Sequence, residues 1–229
     1  MLLSNYKWFK ATPSAHDLQL PELIVRRLGL QDYQPLFKSM RYLAEHMEPN
    51  RADEIWLLSH KPVFTQGQAG SAEHILNAGN IPVVQIDRGG QITYHGPGQL
   101  VCYLLLNIRR RKFGVRKLID MIESALLLTL GEFGIEASTK PKAPGVYVND
   151  AKIAALGLRI KNGLSYHGLS LNVGMDLKPF KQINPCGFEN LEVVQIADFV
   201  EERESLLRDV SNSLSNNLLA ELGYMVHYQ

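Results

Sequence analysis

The dipeptide Asn162-Gly163 restricts the fold of this chain more than any other pair of residues in it. A tight type I′ connection requires positive φ at both central positions, and Asn followed by Gly meets that requirement at little steric cost. Strand-like runs flank the pair, "KIAALGLRI" before it and "LSYHGLSLNVG" after it. The pair therefore predicts a hairpin of two antiparallel strands. Asn149-Asp150 punctuates the stretch upstream, so that "PGVYVNDAKIAALGLRIKNGLSYHGLSLNVGMD" reads as a succession of strands joined by turns.

Elsewhere the periodicity alternates between helix and strand. "DYQPLFKSMRYLAEHM" brings Leu36, Met40, Leu43 and Met47 round at helical spacing. From Val115 to Phe133 the apolar residues Leu118, Ile122, Ala125, Leu126 and Phe133 mark a second helix, ended by Gly134. A third, from about Glu202 to Leu222, carries Leu207, Val210, Leu214 and Leu218. "ELIVRRLG", "DEIWLLSH", "IPVVQID" and the apolar "QLVCYLLLNI" read as further strands. The expected fold is α+β, a mixed or antiparallel sheet packed by helices. Residues 22–229 read as a single domain and residues 1–21 as an N-terminal extension.

Charge and cysteine content narrow the class. A formal net charge of +1 over 229 residues argues against a surface built as a whole for nucleic acid. Lys7 and Lys10 interrupt the N-terminal apolar run, so neither a signal peptide nor a membrane span is expected, and a cytoplasmic location follows. With 2 cysteines in dissimilar surroundings, both thiols are expected to be free.

Those surroundings separate the two. Cys102 lies within the apolar "QLVCYLLLNI" and reads as a small buried hydrophobe. Cys186, in "QINPCGFEN", stands between a proline and a glycine in a polar loop, where it is either incidental or a displayed nucleophile. Neither a second nearby cysteine nor a close histidine pair supplies zinc-ligand spacing. A nucleophilic thiol needs a partner to carry it to the thiolate. Lys152 is one candidate: it opens a stretch of apolar residues and glycines, where desolvation would ease loss of its proton. Its alternative is a solvated lysine just past a turn, and His95 and His167 are rival bases. A second dense constellation, "DRGGQITYHGPGQLVCY", offers glycine backbone for close approach to a ligand, or merely two glycine turns joining strands. It contains neither a P-loop nor a dinucleotide fingerprint.

Four blocks in order decide among these readings. "FTQGQAG", "RGGQITYHGPGQL", "APGVYV…AKIAALGLRI" and "GLSYHGLSLNVGMDLKPFKQINPCG" together resemble the lipoyl(octanoyl) transferases, the B type of lipoate-protein ligase. The resemblance runs from about Glu22 through the cysteine block and more loosely beyond it. It implies a fold similar to the catalytic module of biotin and lipoate ligases. It also implies transfer of an octanoyl or lipoyl group from an acyl carrier protein thioester to a lysine, through a cysteine acyl-enzyme, as the first step of endogenous protein lipoylation. Cys186 falls on the family's nucleophile and Lys152 on the lysine that activates it. Arg88, Gly89, Gly90, Gln91, Ile92, Thr93, Tyr94 and His95 fall on positions that line the acyl substrate, as do Ala155, Leu156, Gly157, Gly168, Leu169 and Ser170.

The implied partners are octanoyl-acyl carrier protein and the lipoyl domains of 2-oxoacid dehydrogenase complexes and of the glycine cleavage H protein. No cofactor, ATP or metal is implied, and neither nucleic acid nor membrane. Both partners are as a rule acidic, so the run "IRRRKFGVRK", with Arg109, Arg110, Arg111, Lys112, Arg116 and Lys117, is either a docking patch or a solvated basic loop. Three other functions compete: an ATP-dependent lipoate or biotin ligase, a cysteine hydrolase built on Cys186 with His95 or His167, and a non-catalytic binding module.

Overall fold

Asn162 and Gly163 adopt φ of 53° and 88°, the left-handed pair that a type I′ turn requires, and Asn149 and Asp150 do the same at 46° and 71°. The computed structural model describes residues 7–13, 22–46, 48, 50–189, 191–201 and 203–225. Among these the chain forms, in order, β1 (Lys7–Pro13), β2 (Leu23–Gln31), α1 (Tyr33–Glu45), β3 (Asp53–His60), β4 (Val63–Gln66), β5 (Val83–Gln85), β6 (Ile92–His95) and β7 (Gln99–Leu105). There follow α2 (Val115–Glu132), β8 (Ser138–Lys140), β9 (Ala143–Val148), β10 (Ala151–Lys161), β11 (Leu164–Asn172), α3 (Leu206–Glu221) and β12 (Tyr224–Met225).

The two turns generate a meander, β9-β10-β11, inside a 9-stranded sheet ordered β12-β1-β2-β3-β7-β11-β10-β9-β8. β2 and β3 run parallel and the other neighbours antiparallel. A mixed sheet results. A 3-stranded sheet, β5-β4-β6, stands beside it.

Strand alternation sends successive residues to opposite faces. Leu57, Cys102, Leu104, Leu169 and Leu171 join the core beneath α2 and α3. Trp56, Leu58, Val101, Tyr103 and Tyr166 join the core beneath α1. The apolar stripes of the helices are what cover the sheet: Leu118, Ile122, Ala125 and Leu126 of α2 are fully buried, as are Val210 and Leu214 of α3. At about 1.5–3 kcal/mol per buried aliphatic side chain, this contact outweighs the weak intrinsic stability of isolated helices. Gly134, at φ 73°, ends α2 where the sequence places the stop.

The boundaries differ from expectation in two places. Lys7–Pro13, within the segment read as an extension, is a strand paired with β2 and β12. Its sequence KWFKATP carries no clean apolar alternation, and Ala11 is its only buried residue, so the pattern gives little sign of a strand. α3 begins at Leu206 rather than near Glu202. Glu202 and Met47 lie outside the described residues.

Candidate active site

Cys186 owes its display to its neighbours. Pro185–Gly187 make a single tight turn in which Cys186 takes φ 58° and ψ 16°, a conformation costly for a residue with a Cβ, and Gly187 follows at φ 78°. Hydrogen bonds hold the turn: Asn184 N–H donates to His74 O at 2.8 Å, Gly187 N–H to Asn184 O at 3.0 Å and Phe188 N–H to Pro185 O at 3.1 Å. The sulfur is thereby carried toward Lys152.

Lys152 arrives from the start of β10, where the register with β9 shifts between Lys152 and Ala154. Its backbone is clamped by Glu192 and Val194, at 2.8 and 3.1 Å. Its Nζ stands 3.1 Å from Cys186 Sγ and 3.5 Å from Pro144 O, above the ring of Tyr147. With 5% of its surface exposed, it is not the solvated lysine of the alternative reading. Burial pulls its pKa down, but negative charge on Cys186 and the hydrogen bond to that sulfur pull it up, and the net direction is upward. Desolvation alone would ease its deprotonation. With the Cys186 sulfur against it, the amine instead holds its proton more firmly.

The dyad opens on a cavity of about 460 Å³. Residues 88–93, His95, 155–157 and 168–170 line it together with Lys152 and Cys186. The floor is the sheet itself, where Ala155 pairs with Ser170 and Gly157 with Gly168, leaving small residues side by side. Gly157 has no room for more: a Cβ there would lie 2.9 Å from Arg88 Cδ. Arg88 is buried and donates to Thr65 O at 2.7 Å, Thr65 Oγ1 at 3.1 Å and Gly89 O at 2.9 Å, and burial lowers its pKa. Gly67 brings "FTQG" against this loop, since a Cβ there would lie 2.3 Å from Gly90 O.

Tyr94 is not among the lining residues. Along β6 the Thr93 and His95 side chains face the cavity, and alternation turns Tyr94 the other way, onto Phe64 and Phe180 with ring centroids 5.5 Å away in each case. The histidines proposed as bases are engaged elsewhere. His95 Nδ1 meets Gln99 Oε1 at 2.7 Å, which makes that nitrogen the donor, and burial pushes its pKa down to about 3. His167 Nε2 meets Asp87 Oδ1 at 3.0 Å, its pKa likewise lowered by burial. Cys102 is fully buried and its thiol is pushed far up by burial.

Several lining residues escaped the sequence reading: Tyr33, Val101, Tyr103, Val115, Ile119, Lys142 and Phe188. For Val101 and Tyr103 the signal was strand register, since they pair with Ser170 and Gly168 and share their face. The basic run proved to be divided. Arg110 and Arg111 bind the buried Asp53 at 2.7 and 2.8 Å, whereas Arg109, Lys112, Arg116 and Lys117 are exposed. Among the described residues no group of three or more His, Cys, Asp or Glu is placed to hold a metal ion, and no helix is long and apolar enough to cross a membrane.

Comparison with known proteins places the chain in a family. Residues 32–218 match the lipoyl protein ligase A/B catalytic domain. The chain is 54% identical over 203 residues to an octanoyltransferase of Vibrio atlanticus, covering 89% of this chain and 92% of that protein. To an octanoyltransferase of Hahella chejuensis it is 59% identical over 182 residues, covering 80% and 81%. Among solved structures, lipoate-protein ligase A bound with ATP superposes with a TM-score of 0.63 at 14% identity, covering 86% of this chain and 84% of that one. A bipartite lipoate protein ligase from Thermoplasma acidophilum gives 0.66 at 16% identity, covering 86% and 83%. The fold is thus shared with lipoate ligases while the sequence sides with the transferases. The chain belongs to the lipoyl protein ligase A/B catalytic-domain family, in its octanoyltransferase branch, and is an acyltransferase.

Proposed function

We propose that this enzyme moves an octanoyl group from the thioester of an acyl carrier protein to a lysine amine of a lipoyl domain, through a thioester on Cys186. The observation that carries the reading is the 3.1 Å contact between Lys152 Nζ and Cys186 Sγ at the edge of a cavity floored by small residues. Lys152 hydrogen-bonds the sulfur, and both rival histidines are bonded to other partners.

The chemistry closes on one proton. The Cys186 thiolate attacks the thioester carbonyl, and as the tetrahedral intermediate collapses the Lys152 ammonium gives its proton to the departing pantetheine sulfur. The acyl sulfur now carries no charge, so the two largest influences that raised the pKa of Lys152 are gone, and burial is opposed only by Tyr147. The acceptor lysine attacks as its neutral amine, Lys152 takes the one proton that the attacking nitrogen sheds, the amide forms, and the thiolate is released opposite a reprotonated Lys152. Thioester is exchanged for thioester in the first half, which needs no nucleotide. In the second half the stable amide drives transfer forward.

Intact-mass spectrometry after incubation with octanoyl-acyl carrier protein, without ATP, tests the reading. A hydroxylamine-labile octanoyl adduct is expected on the wild type, absent from Cys186→Ser and cleared by a lipoyl domain. Transfer that appears only with ATP and free acid would identify a ligase instead. Release of free octanoate without an acceptor would identify a hydrolase.

A further inference from the structure

Two hydroxyls beside the dyad have no hydrogen-bond partner among the described residues. They belong to Thr93 of β6 and Ser170 of β11, which are only 8% and 5% exposed. A buried hydroxyl is normally bonded, because an unpaired one gives up its hydration without return. Their neighbours follow that rule: Thr65 Oγ1, on the strand paired with Thr93, accepts from Arg88, and Ser165 Oγ, on the same strand as Ser170, donates to Leu104 O at 2.7 Å.

The two strands lie in different sheets, yet they bring these hydroxyls to one space. Thr93, Ser170, Lys152 and Cys186 together bound a small pocket of about 10 Å³, roughly the room one oxygen atom needs. The same four residues line the acyl cavity, so the small pocket adjoins that cavity at the sulfur. Much of its remaining wall is apolar, from Ala154, Ala155, Phe180 and Val193. Asn172 also borders it, but its amide is committed to Gln99 and to Val194 O.

Other donors near the sulfur are spent. The N–H groups of Gly187 and Phe188 hold the turn, and Lys152 Nζ is engaged by Cys186 Sγ and Pro144 O. We propose that the small pocket is the oxyanion hole of acyl transfer, with Thr93 and Ser170 as its hydroxyl donors, an inference that rests on the transfer reading above. As the Cys186 sulfur bonds to the thioester carbon, the carbonyl π pair moves onto oxygen, and the two O–H groups donate to the charge that forms there. When that pair returns, the bond to the pantetheine sulfur breaks and the departing sulfur takes the Lys152 proton. Neither hydroxyl gives up its own proton. Fixed donors among apolar walls act at low dielectric and need no reorganisation, so they favour the tetrahedral intermediate over the bound thioester.

The test is single-turnover acylation of the full chain by S-octanoylpantetheine, followed by intact mass over a range of donor concentrations. Thr93→Val and Ser170→Ala should each lower the rate at saturating donor by about 100- to 1,000-fold, the ordinary effect of losing one such donor. The half-saturating concentration should hardly move. Thr93→Ser, which keeps a hydroxyl, should stay much closer to the wild type than Thr93→Val. Alkylation of Cys186 by iodoacetamide builds no oxyanion, and its rate and pH profile should be the same in all four proteins. Acylation and alkylation falling together would mean that the hydroxyls act on the thiolate, and would overturn the proposal. A change confined to the half-saturating concentration would make them ground-state contacts and overturn it too. Full acylation rate in either Thr93→Val or Ser170→Ala would overturn the two-hydroxyl hole. No adduct on the wild type would overturn the transfer reading and this inference with it.

Discussion

Lys152 and Cys186 lie 34 residues apart in sequence and 3.1 Å apart in space, and the state of one sets the state of the other. Charge on the sulfur and the hydrogen bond to it hold the Lys152 proton against burial, which acts in the opposite direction. Cys186→Ala removes the two largest upward influences and leaves burial opposed only by Tyr147. The Lys152 amine should therefore titrate at lower pH in Cys186→Ala than in the wild type, measured from the Cε or Nζ chemical shift of isotopically labelled lysine. An unchanged titration would show that the two groups are not coupled.

Acid should destabilise this protein earlier than its carboxylates alone would cause. Burial holds His60 down to about 4, against the pull of the Gln31 carbonyl, and His95 down to about 3. Both folded values lie below the unfolded one, so the unfolded chain takes up protons as pH falls below about 6.5 and the native chain does not. Stability should then fall by on the order of 1.4 kcal/mol per pH unit for each histidine, down to about 4 for His60 and about 3 for His95. Urea midpoints between pH 7 and pH 5 would reveal the slope, and His60→Gln should flatten it. A flat profile in the wild type would contradict the buried neutral state.

What could be seen in the sequence followed the distance over which each feature is specified. Asn162-Gly163 and Pro185-Cys186-Gly187 are local, and both turns formed where composition placed them. Tyr94 failed for a reason also present in the sequence: alternation along "ITYH" separates it from Thr93 and His95, but the glycines on either side hid the four-residue strand. The roles of Arg110 and Arg111 were not readable at all. Their partner Asp53 is 57 and 58 residues away, and only the pairing of β3 with β7 brings it under the loop.

Gly157 should govern how long an acyl chain the cavity accepts. Its φ lies outside the left-handed region, so alanine fits the backbone, yet the new Cβ would stand 2.9 Å from Arg88 Cδ. Three hydrogen bonds fix Arg88 and prevent it from yielding. Gly157→Ala is expected to narrow the cavity and shift preference from octanoyl toward shorter donors. At about 0.8 kcal/mol per buried methylene, each carbon excluded costs roughly fourfold in selectivity. Acylation rates with hexanoyl, octanoyl and decanoyl donors would measure it, and an unaltered rank order would place the acyl chain elsewhere.

Arg110 and Arg111 are the wrong residues with which to test docking, because reversing them would break a buried ion pair. Loss of one partner from such a pair costs about 3–5 kcal/mol, so Asp53→Ala should lower Tm by several degrees whatever binds at the surface. Arg116 and Lys117, exposed on the helix turn that also carries Val115 to the cavity, are the informative pair. Arg116→Glu with Lys117→Glu should reduce kcat/KM for octanoyl-acyl carrier protein and weaken its dependence on salt, while acylation by S-octanoylpantetheine, which brings no acidic protein surface, stays unchanged. Equal losses with both donors would mean that the charges act on the cavity rather than on the carrier. No loss with either would leave the exposed part of this run as a solvated loop.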